Sequence, residues 1–457
     1  MQFRTLSQFL HTMEEGAVAS PTTDPVTTMT AGEHQKKAKK ATGVAAFGTF
    51  IEYYDFSVYG YVAATLSVVF FPGDDPMMGL LNTLLVFGSA FVVRPLGAIF
   101  FGRLGDRVGR RTSLIASIGL MSAAAALTGI LPGYAQIGVM APILLVLFRM
   151  LQGFSAGGEI GGAASYIREW AAPNRRSFYV SFIPGVAQLG KGAAAGMAAL
   201  AASLLPAEAM EAWGWRIPFL LAVPLGILCL YMRLSIEDSP EFAASRAEHT
   251  TTTKPFSTLL ATHRGPLAKV MAISTVQNIG TYLGTVFVAV YFSNVLGFTK
   301  AQASTIVLLA VLAAAVFIPV AGLFGTRVGA KKVLIFSYTA YVVVTIPSFL
   351  LMGQHSVPLA IVGLLIGMVP YALCQAGTYA SITEFFPVQV RHTGVAFGHS
   401  VGAVIGGGLS PFLATWLIDV TGNNLVPAFI LVGSGLMGLA VVVGLVRHNT
   451  TDTHLYR

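Results

Sequence analysis

The stretch G-R-L-G-D-R-V-G-R-R at 102–111 is a polar, basic island between two long apolar runs, and a worn copy of it returns 220 positions later. Gly102, Gly105, Arg107, Val108 and Gly109 recur as Gly322, Gly325, Arg327, Val328 and Gly329, and basic Arg111 is answered by Lys331. The flanking runs, 80–101 and 113–132, match the length of about 20 apolar residues that a helix needs to cross a bilayer. Ten more such runs fall near 43–66, 141–165, 177–204, 217–235, 269–294, 302–324, 333–352, 358–383, 394–418 and 426–446. Twelve spans predict an all-α membrane protein, and the island marks a loop at the membrane surface.

Composition points the same way. Hydrophobic residues make up 54% of the 457, charged residues only 11%, and the mean hydropathy is +0.71, values of the membrane class. A formal charge of +8 would suit a nucleic-acid partner if it were gathered on one face. It is instead dealt to alternate loops: basic residues crowd the N-terminal tail, Arg103–Arg111, Arg168–Arg176 and the C-terminus, whereas loops near 72–79, 132–140, 205–215, 353–357 and 419–425 have none. Arg216 and Lys300 stand at outer boundaries, and Arg94, Arg149 and Lys191 within spans. By the positive-inside rule both termini are cytoplasmic, as expected of a multi-pass protein of a bacterial inner membrane, with the lipid bilayer as a partner and nucleic acid excluded. Cys229 and Cys374 fall in spans and read as reduced, small apolar packers.

Residues 1–42 are rich in Ser, Thr and Glu and hold no apolar stretch for a cleavable signal. They are expected to form a disordered cytoplasmic tail, whose Lys36, Lys37, Lys39 and Lys40 orient the first span or attract anionic headgroups. The longest later interruption, 237–268, divides the spans six and six. It reads as a cytoplasmic linker between an N-terminal half, 43–236, and a C-terminal half, 269–447, with a short tail at 448–457. A second repeat supports the division: Ile167, Glu169 and Arg176 recur 215 positions later as Ile382, Glu384 and Arg391.

These features carry a resemblance. The loop at 102–111 and L-V-L-F-R-M-L-Q-G-F-S-A at 145–156 resemble signatures of the major facilitator superfamily. More narrowly, G-T-F-I-E-Y-Y-D-F-S-V-Y-G at 48–60, R-P-L-G at 94–97, G-F-S-A-G-G-E at 153–159, W-G-W-R-I-P-F at 213–219 and E-D-S-P-E-F at 237–242 are similar to its metabolite:proton symporter family. Within that family, F-F-P-G-D-D-P at 70–76 looks most like the proline/betaine branch; relatives carry small carboxylates. The resemblance implies the major facilitator fold, 12 transmembrane helices in two six-helix halves. It also implies proton-coupled symport of an organic acid or zwitterionic osmolyte into the cytoplasm by alternating access, with the substrate held between the halves. A functional monomer without cofactor or metal is expected, with small-molecule substrate and protons as partners.

An ionisable side chain at the bilayer centre costs about 2.5–3.5 kcal/mol on insertion scales, so those retained there mark pairs or tasks. Six stand out: Glu52, Asp55, Arg94, Arg149, Glu159 and Lys191. A proton-coupled carrier needs a carboxyl group that takes up and releases its proton near neutral pH beside a cation. Glu52, Asp55 and Glu159, with Arg149 tuning them, are the candidates; the alternative is that the acids merely neutralise Arg94, Arg149 and Lys191. Tyr59 shares the face of Glu52 and Asp55, Gln152 shares a stripe with Arg149 and Glu159, and both are expected to bind substrate. Gly153, Gly157 and Gly161 form a small-residue seam for close helix contact.

Lys191 and Gln188 share a face near mid-bilayer. A point charge there favours an anionic group on the substrate, though pairing with Glu159 would satisfy it equally. The second half offers polar groups to orient a ligand: Gln277, Asn278 and Tyr282 in the seventh span, and Tyr371, Gln375 and Tyr379 in the tenth. His399 reads as a proton relay or as a packed, hydrogen-bonded residue.

At the cytoplasmic face, the resemblance implies that Asp106 contacts the opposite half and holds an inner gate closed. Its counterpart in the repeat is Thr326, which cannot make the same charged contact. Arg107, Arg110 and Arg111 join the gating set, as do inter-half pairs drawn from Glu169, Arg176, Glu384 and Arg391. Of the rival readings, a drug/proton antiporter of the same fold lacks support because P-G-V-A-Q-L-G-K-G at 184–192 is not the Gly-Pro-Gly-Gly signature of those exporters. An enzyme would need a metal-ligand cluster or a Ser–His pairing, and neither is evident in the spans. A membrane sensor would need an output domain of roughly 50 residues or more, longer than either tail.

Overall fold

The structure, a computed structural model, describes residues 31–73, 76–247 and 255–444. Twelve long helices follow in order: α1 (Ala31–Tyr61, continued by Ala63–Phe70), α2 (Pro76–Arg107), α3 (Arg110–Gly129), α4 (Met140–Trp170), α5 (Arg176–Leu204), α6 (Arg216–Leu234), α7 (Arg264–Thr281), α8 (Lys300–Val328), α9 (Ala330–Met352), α10 (Val357–Ile382), α11 (Arg391–Ala403, resumed at Leu409–Thr421) and α12 (Val426–Gly444). Two short helices, Pro240–Ala247 and Pro255–Thr262, lie between α6 and α7. Wide π turns extend α7 through Tyr282–Phe287 and Tyr291–Val295 and interrupt α11 at Val404–Gly408.

Among the described residues, ten helices are long and apolar enough to cross a membrane. α1 and α5 have the length but fall short in composition, because they carry Glu52, Asp55, Gln188 and Lys191, all buried. Apolar side chains such as Leu85, Leu204 and Val92 are exposed, while the charged Glu52, Arg149 and Arg233 are buried within a largely apolar interior. That inversion is what hydrocarbon around the bundle selects. The chain is a multi-pass membrane protein.

Helix ends follow from local chemistry. Gly109 and Gly329, equivalent positions of the repeat, turn between α2 and α3 and between α8 and α9 with φ of +143° and +86°, a region that glycine enters without steric cost. The Thr299 hydroxyl accepts from Gln302 N–H at 3.3 Å and the Gln302 side chain accepts from Thr299 N–H at 3.0 Å, closing a capping box at the start of α8.

The repeated glycines also join the halves. A Cβ on Gly102 or Gly105 in α2 would strike Thr393 or His392 in α11, and one on Gly322 or Gly325 in α8 would strike Ser181 or Ser177 in α5. Each half thus lays its glycine-bearing helix on the other's fifth. In the seam of α4, Gly153 and Gly157 meet the α2 backbone at Ala90 and Arg94, and Gly161 meets Ala396 of α11.

Two boundaries differ from expectation. The stretch 31–42, expected to be disordered, begins α1 as helix, tied down where Lys37 meets Glu237 at 3.0 Å and Lys40 donates to the Ser235 carbonyl at 2.8 Å. The linker is partly helical, and α7 starts at Arg264 rather than 269. Residues 1–30 and the tail at 448–457 lie outside the described residues.

Candidate functional site

The buried charges of the first half sort into separate groups. Arg94 Nη2 donates to Glu52 Oε1 at 3.1 Å, and the guanidinium lies 4.7 Å from the Phe56 ring centre and 5.4 Å from that of Phe91. Asp55 forms no ion pair among the described residues. Gln152 Nε2 donates to its Oδ2 at 2.8 Å, while Arg149 donates to Gln152 Oε1 and to the Phe56 carbonyl, each at 2.9 Å. Arg149 is further enclosed by the rings of Phe56, Tyr59 and Phe87. Asp55 Oδ1 and Glu52 Oε2 find no hydrogen-bond partner among the described residues.

Glu159 is answered completely. Arg233 grips both of its oxygens, and the Ser117 hydroxyl donates to Oε2 at 2.8 Å. Arg233, at the cytoplasmic end of the expected span 217–235, was not singled out from sequence, yet it is fully buried in the last turn of α6. It joins the six ionisable residues singled out from sequence, and it takes the acid that was the alternative partner of Lys191.

Lys191 is therefore left over. It is buried, with no ion pair among the described residues. Its ammonium lies 5.4 Å from the Tyr53 ring centre and 3.5 Å from the Thr285 hydroxyl, which belongs to the π turn of α7 in the other half. Neither Tyr53 nor Thr285 was singled out from sequence.

The rest of the seam between the halves is polar and aromatic. Gln188 Nε2 donates to the Tyr371 hydroxyl at 2.8 Å across it, and Gln188 Oε1 has no partner among the described residues. Behind Tyr371, Gln277 donates to Gln375 at 2.7 Å, Gln375 donates to Thr281 at 2.8 Å, and Asn278 donates to Gln277 at 2.9 Å. Tyr282 meets Phe91 edge-on at 5.5 Å, and Tyr379 stacks obliquely on His399 at 5.7 Å. His399 Nε2 is buried without a partner among the described residues. Tyr59 does not belong to this group: it donates to the Thr83 carbonyl at 3.1 Å and packs in the core of the first half.

A second cluster lies where α2, α4 and α11 meet, at the end of the bundle that holds the basic loops. Asp106 accepts from the backbone N–H groups of His392 at 3.2 Å and Thr393 at 2.9 Å. A carboxylate of one half thereby caps the N-terminus of α11 in the other, where the helix dipole favours negative charge. Arg110, wholly buried, bonds Asp106, Glu169 and the Val388 carbonyl. Arg391 pairs with Glu169 at 2.9 Å and with Glu241 at 2.6 Å.

The repeat leads one to expect Glu384 to mirror Glu169 by taking Arg176. Arg176 is instead paired with Glu241 at 2.7 Å, and Glu384 meets Arg168 at 3.4 Å. Linker Glu241 has replaced the symmetric partner, and Ser239 beside it donates to Glu169. Arg107 is exposed. Arg111 bonds the linker and its own half, donating from its backbone to Asp238 at 2.9 Å and from its side chain to the Leu234 carbonyl at 2.7 Å.

Comparison with known proteins fits this architecture. The family described as Sugar (and other) transporter matches residues 41–262, and Major Facilitator Superfamily matches 270–455. The ectoine/proline transporter ProP of Corynebacterium glutamicum is 33% identical over 89% of this chain and 84% of that protein. The proline/betaine transporter of Salmonella typhimurium is 33% identical over 88% and 82%, and the citrate-proton symporter of Klebsiella pneumoniae 32% over 88% and 90%. In fold, the chain is similar to the proton:xylose symporter XylE bound to 6-bromo-6-deoxy-D-glucose, with a TM-score of 0.73 at 17% identity, covering 91% of this chain and 96% of that one. The chain is thus a transporter of the major facilitator superfamily, and it belongs to the metabolite:proton symporter family that includes the proline/betaine transporters.

Proposed function

We propose that this protein imports a small carboxylate-bearing metabolite together with a proton, by rocking its two halves about the seam between α1, α5, α7 and α10. The observation that carries the reading is Lys191, a buried ammonium with no ion pair among the described residues, aimed across the seam at Thr285. Burying an unpaired charge is costly, so an anionic group on the cargo is the natural counterion. Similarity to transporters of proline and betaine and to a citrate-proton symporter supports that class, since each cargo carries a carboxylate.

Asp55 is assigned as the proton carrier: one oxygen has only an amide partner and the other has none. Glu52 and Arg94 are assigned to sensing the cargo beside Tyr53 and Tyr282, and Gln188, Gln375 and Tyr379 to orienting it. Asp106, Arg110, Glu169 and Arg391 form the inner gate. The positive-inside pattern supports both termini cytoplasmic, similarity to an inner membrane metabolite transport protein of Escherichia coli supports a bacterial inner membrane, and the carrier is assigned as a monomer.

The test is uptake into proteoliposomes under an imposed pH gradient, with labelled proline, glycine betaine, citrate, 2-oxoglutarate and shikimate in parallel. At least one carboxylate should accumulate and should leak back when a protonophore collapses the gradient. Uptake of none of them, or accumulation indifferent to the protonophore, rejects the reading.

A further inference from the structure

A groove of about 690 Å³ runs along the outside of the first half between α1 and α5, away from the seam. Its lining passes from Gln35 to Phe50 on α1 and from Arg175 to Val186 beside and along α5. At 1.5 Å per residue the α5 wall is about 16 Å long, close to half of the roughly 30 Å hydrocarbon core, one leaflet's depth. The two ends differ in chemistry. Lys39 and Arg175 stand at the end nearest the basic loops, exposed, neither in an ion pair among the described residues, and no acid lines the groove. Phe47, Phe50, Phe178 and Phe182 line the trough beyond them.

Two cations over an aromatic trough one leaflet deep match a single amphiphile. The geometry points to a binding site for an anionic phospholipid, its phosphate between Lys39 and Arg175 and an acyl chain along the four phenylalanines. Basic pockets between spanning helices hold acidic headgroups in this way. Lys37 is engaged with Glu237 and Lys40 with the Ser235 carbonyl, and of the four clustered lysines Lys39 is the one that lines the groove. Gly43 gives the trough its width: a Cβ there would meet nothing within 4 Å. This site is independent of the identity of the cargo.

The experiment is native mass spectrometry of the purified full chain titrated with dioleoylphosphatidylglycerol, and with dioleoylphosphatidylcholine and glycerol phosphate as comparisons. One tightly held phosphatidylglycerol is expected. Lys39→Gln with Arg175→Gln should weaken it roughly 30-fold, whereas Lys331→Gln with Lys332→Gln, exposed lysines of the other half, should leave it unchanged. Gly43→Trp keeps both cations and should expel the lipid by filling the trough, so a folding defect in the charge variant does not decide the matter alone. Equal binding of phosphatidylcholine, equal loss in the Lys331/Lys332 variant, retention in Gly43→Trp, or displacement by glycerol phosphate would each overturn the assignment.

Discussion

The Asp106 carboxylate accepts a hydrogen bond from the Thr393 backbone N–H at 2.9 Å, although the two residues belong to opposite halves of the chain. The bond can exist only while α2 and α11 are in contact, so it reports and stabilises closure at the basic end. Asp106→Ala removes the two bonds that cross between the halves, about 2 kcal/mol in total, along with the Arg110 contact inside the first half. The expected outcome is a shift of the population toward the state open at that end by roughly 30-fold. Alkylation of Ser177→Cys, placed at the separate contact of α5 with α8, should speed up accordingly; an unchanged rate would show that Asp106 does not hold the gate.

Asp55→Asn keeps the hydrogen-bonding shape beside Gln152 but cannot carry a proton. Exchange of labelled for unlabelled cargo across the membrane should persist within a few-fold, while accumulation driven by a pH gradient should vanish. Counterflow and gradient-driven uptake measured on the same vesicles separate the two. Loss of both together would place Asp55 in the binding site instead.

Lys191→Leu has opposite effects on binding and on stability. Losing a charge-assisted contact to a carboxylate should weaken the cargo's apparent affinity roughly 10- to 100-fold. Removing a buried cation without a counterion should leave the thermal unfolding temperature equal or higher. Unaltered affinity would end the proposed role of the ammonium.

Glu159→Gln leaves Arg233 buried and unpaired, a loss of about 3–5 kcal/mol. The folded yield and the unfolding temperature should fall. Replacing the pair together, Glu159→Leu with Arg233→Met, should recover most of the loss and retain proton-driven uptake. Failure of uptake in a stable double variant would return Glu159 to the proton path.

The spans and the two-half plan were legible because hydropathy and repeated glycines are local signals: both Gly109 and Gly329 are required by a left-handed turn, and Gly102 and Gly322 by the same kind of contact. Arg233 was hidden because a basic residue at the cytoplasmic end of a span looks like any other orientation signal. Only the neighbouring helices reveal that it turns inward to Glu159. Tyr59 was placed on the correct face of α1, yet a helix face meets different neighbours at different depths, and at this level it meets Thr83 and Phe87. The repeat predicted inter-half pairs among Glu169, Arg176, Glu384 and Arg391; Glu169 takes Arg391, but Arg176 is taken by Glu241, a linker residue outside the repeat. Thr285 escaped notice because a π turn redirects the side chains beyond Tyr282.

In the middle of the first half, away from Asp106, Arg110 and Glu169 at the basic end, three acids, Glu52, Asp55 and Glu159, stand with four bases, Arg94, Arg149, Arg233 and the supernumerary Lys191. On the proposed cycle, a vacant carrier with all seven ionised would return outward bearing one uncancelled positive charge, and inside-negative voltage would resist that journey by up to about 2.3 kcal/mol per 100 mV. A monovalent acid seated on Lys191 cancels the surplus. Swapping one bound acid for another therefore escapes the electrical toll that an empty return incurs, and solute waiting on the far side hastens the turnover of the carrier.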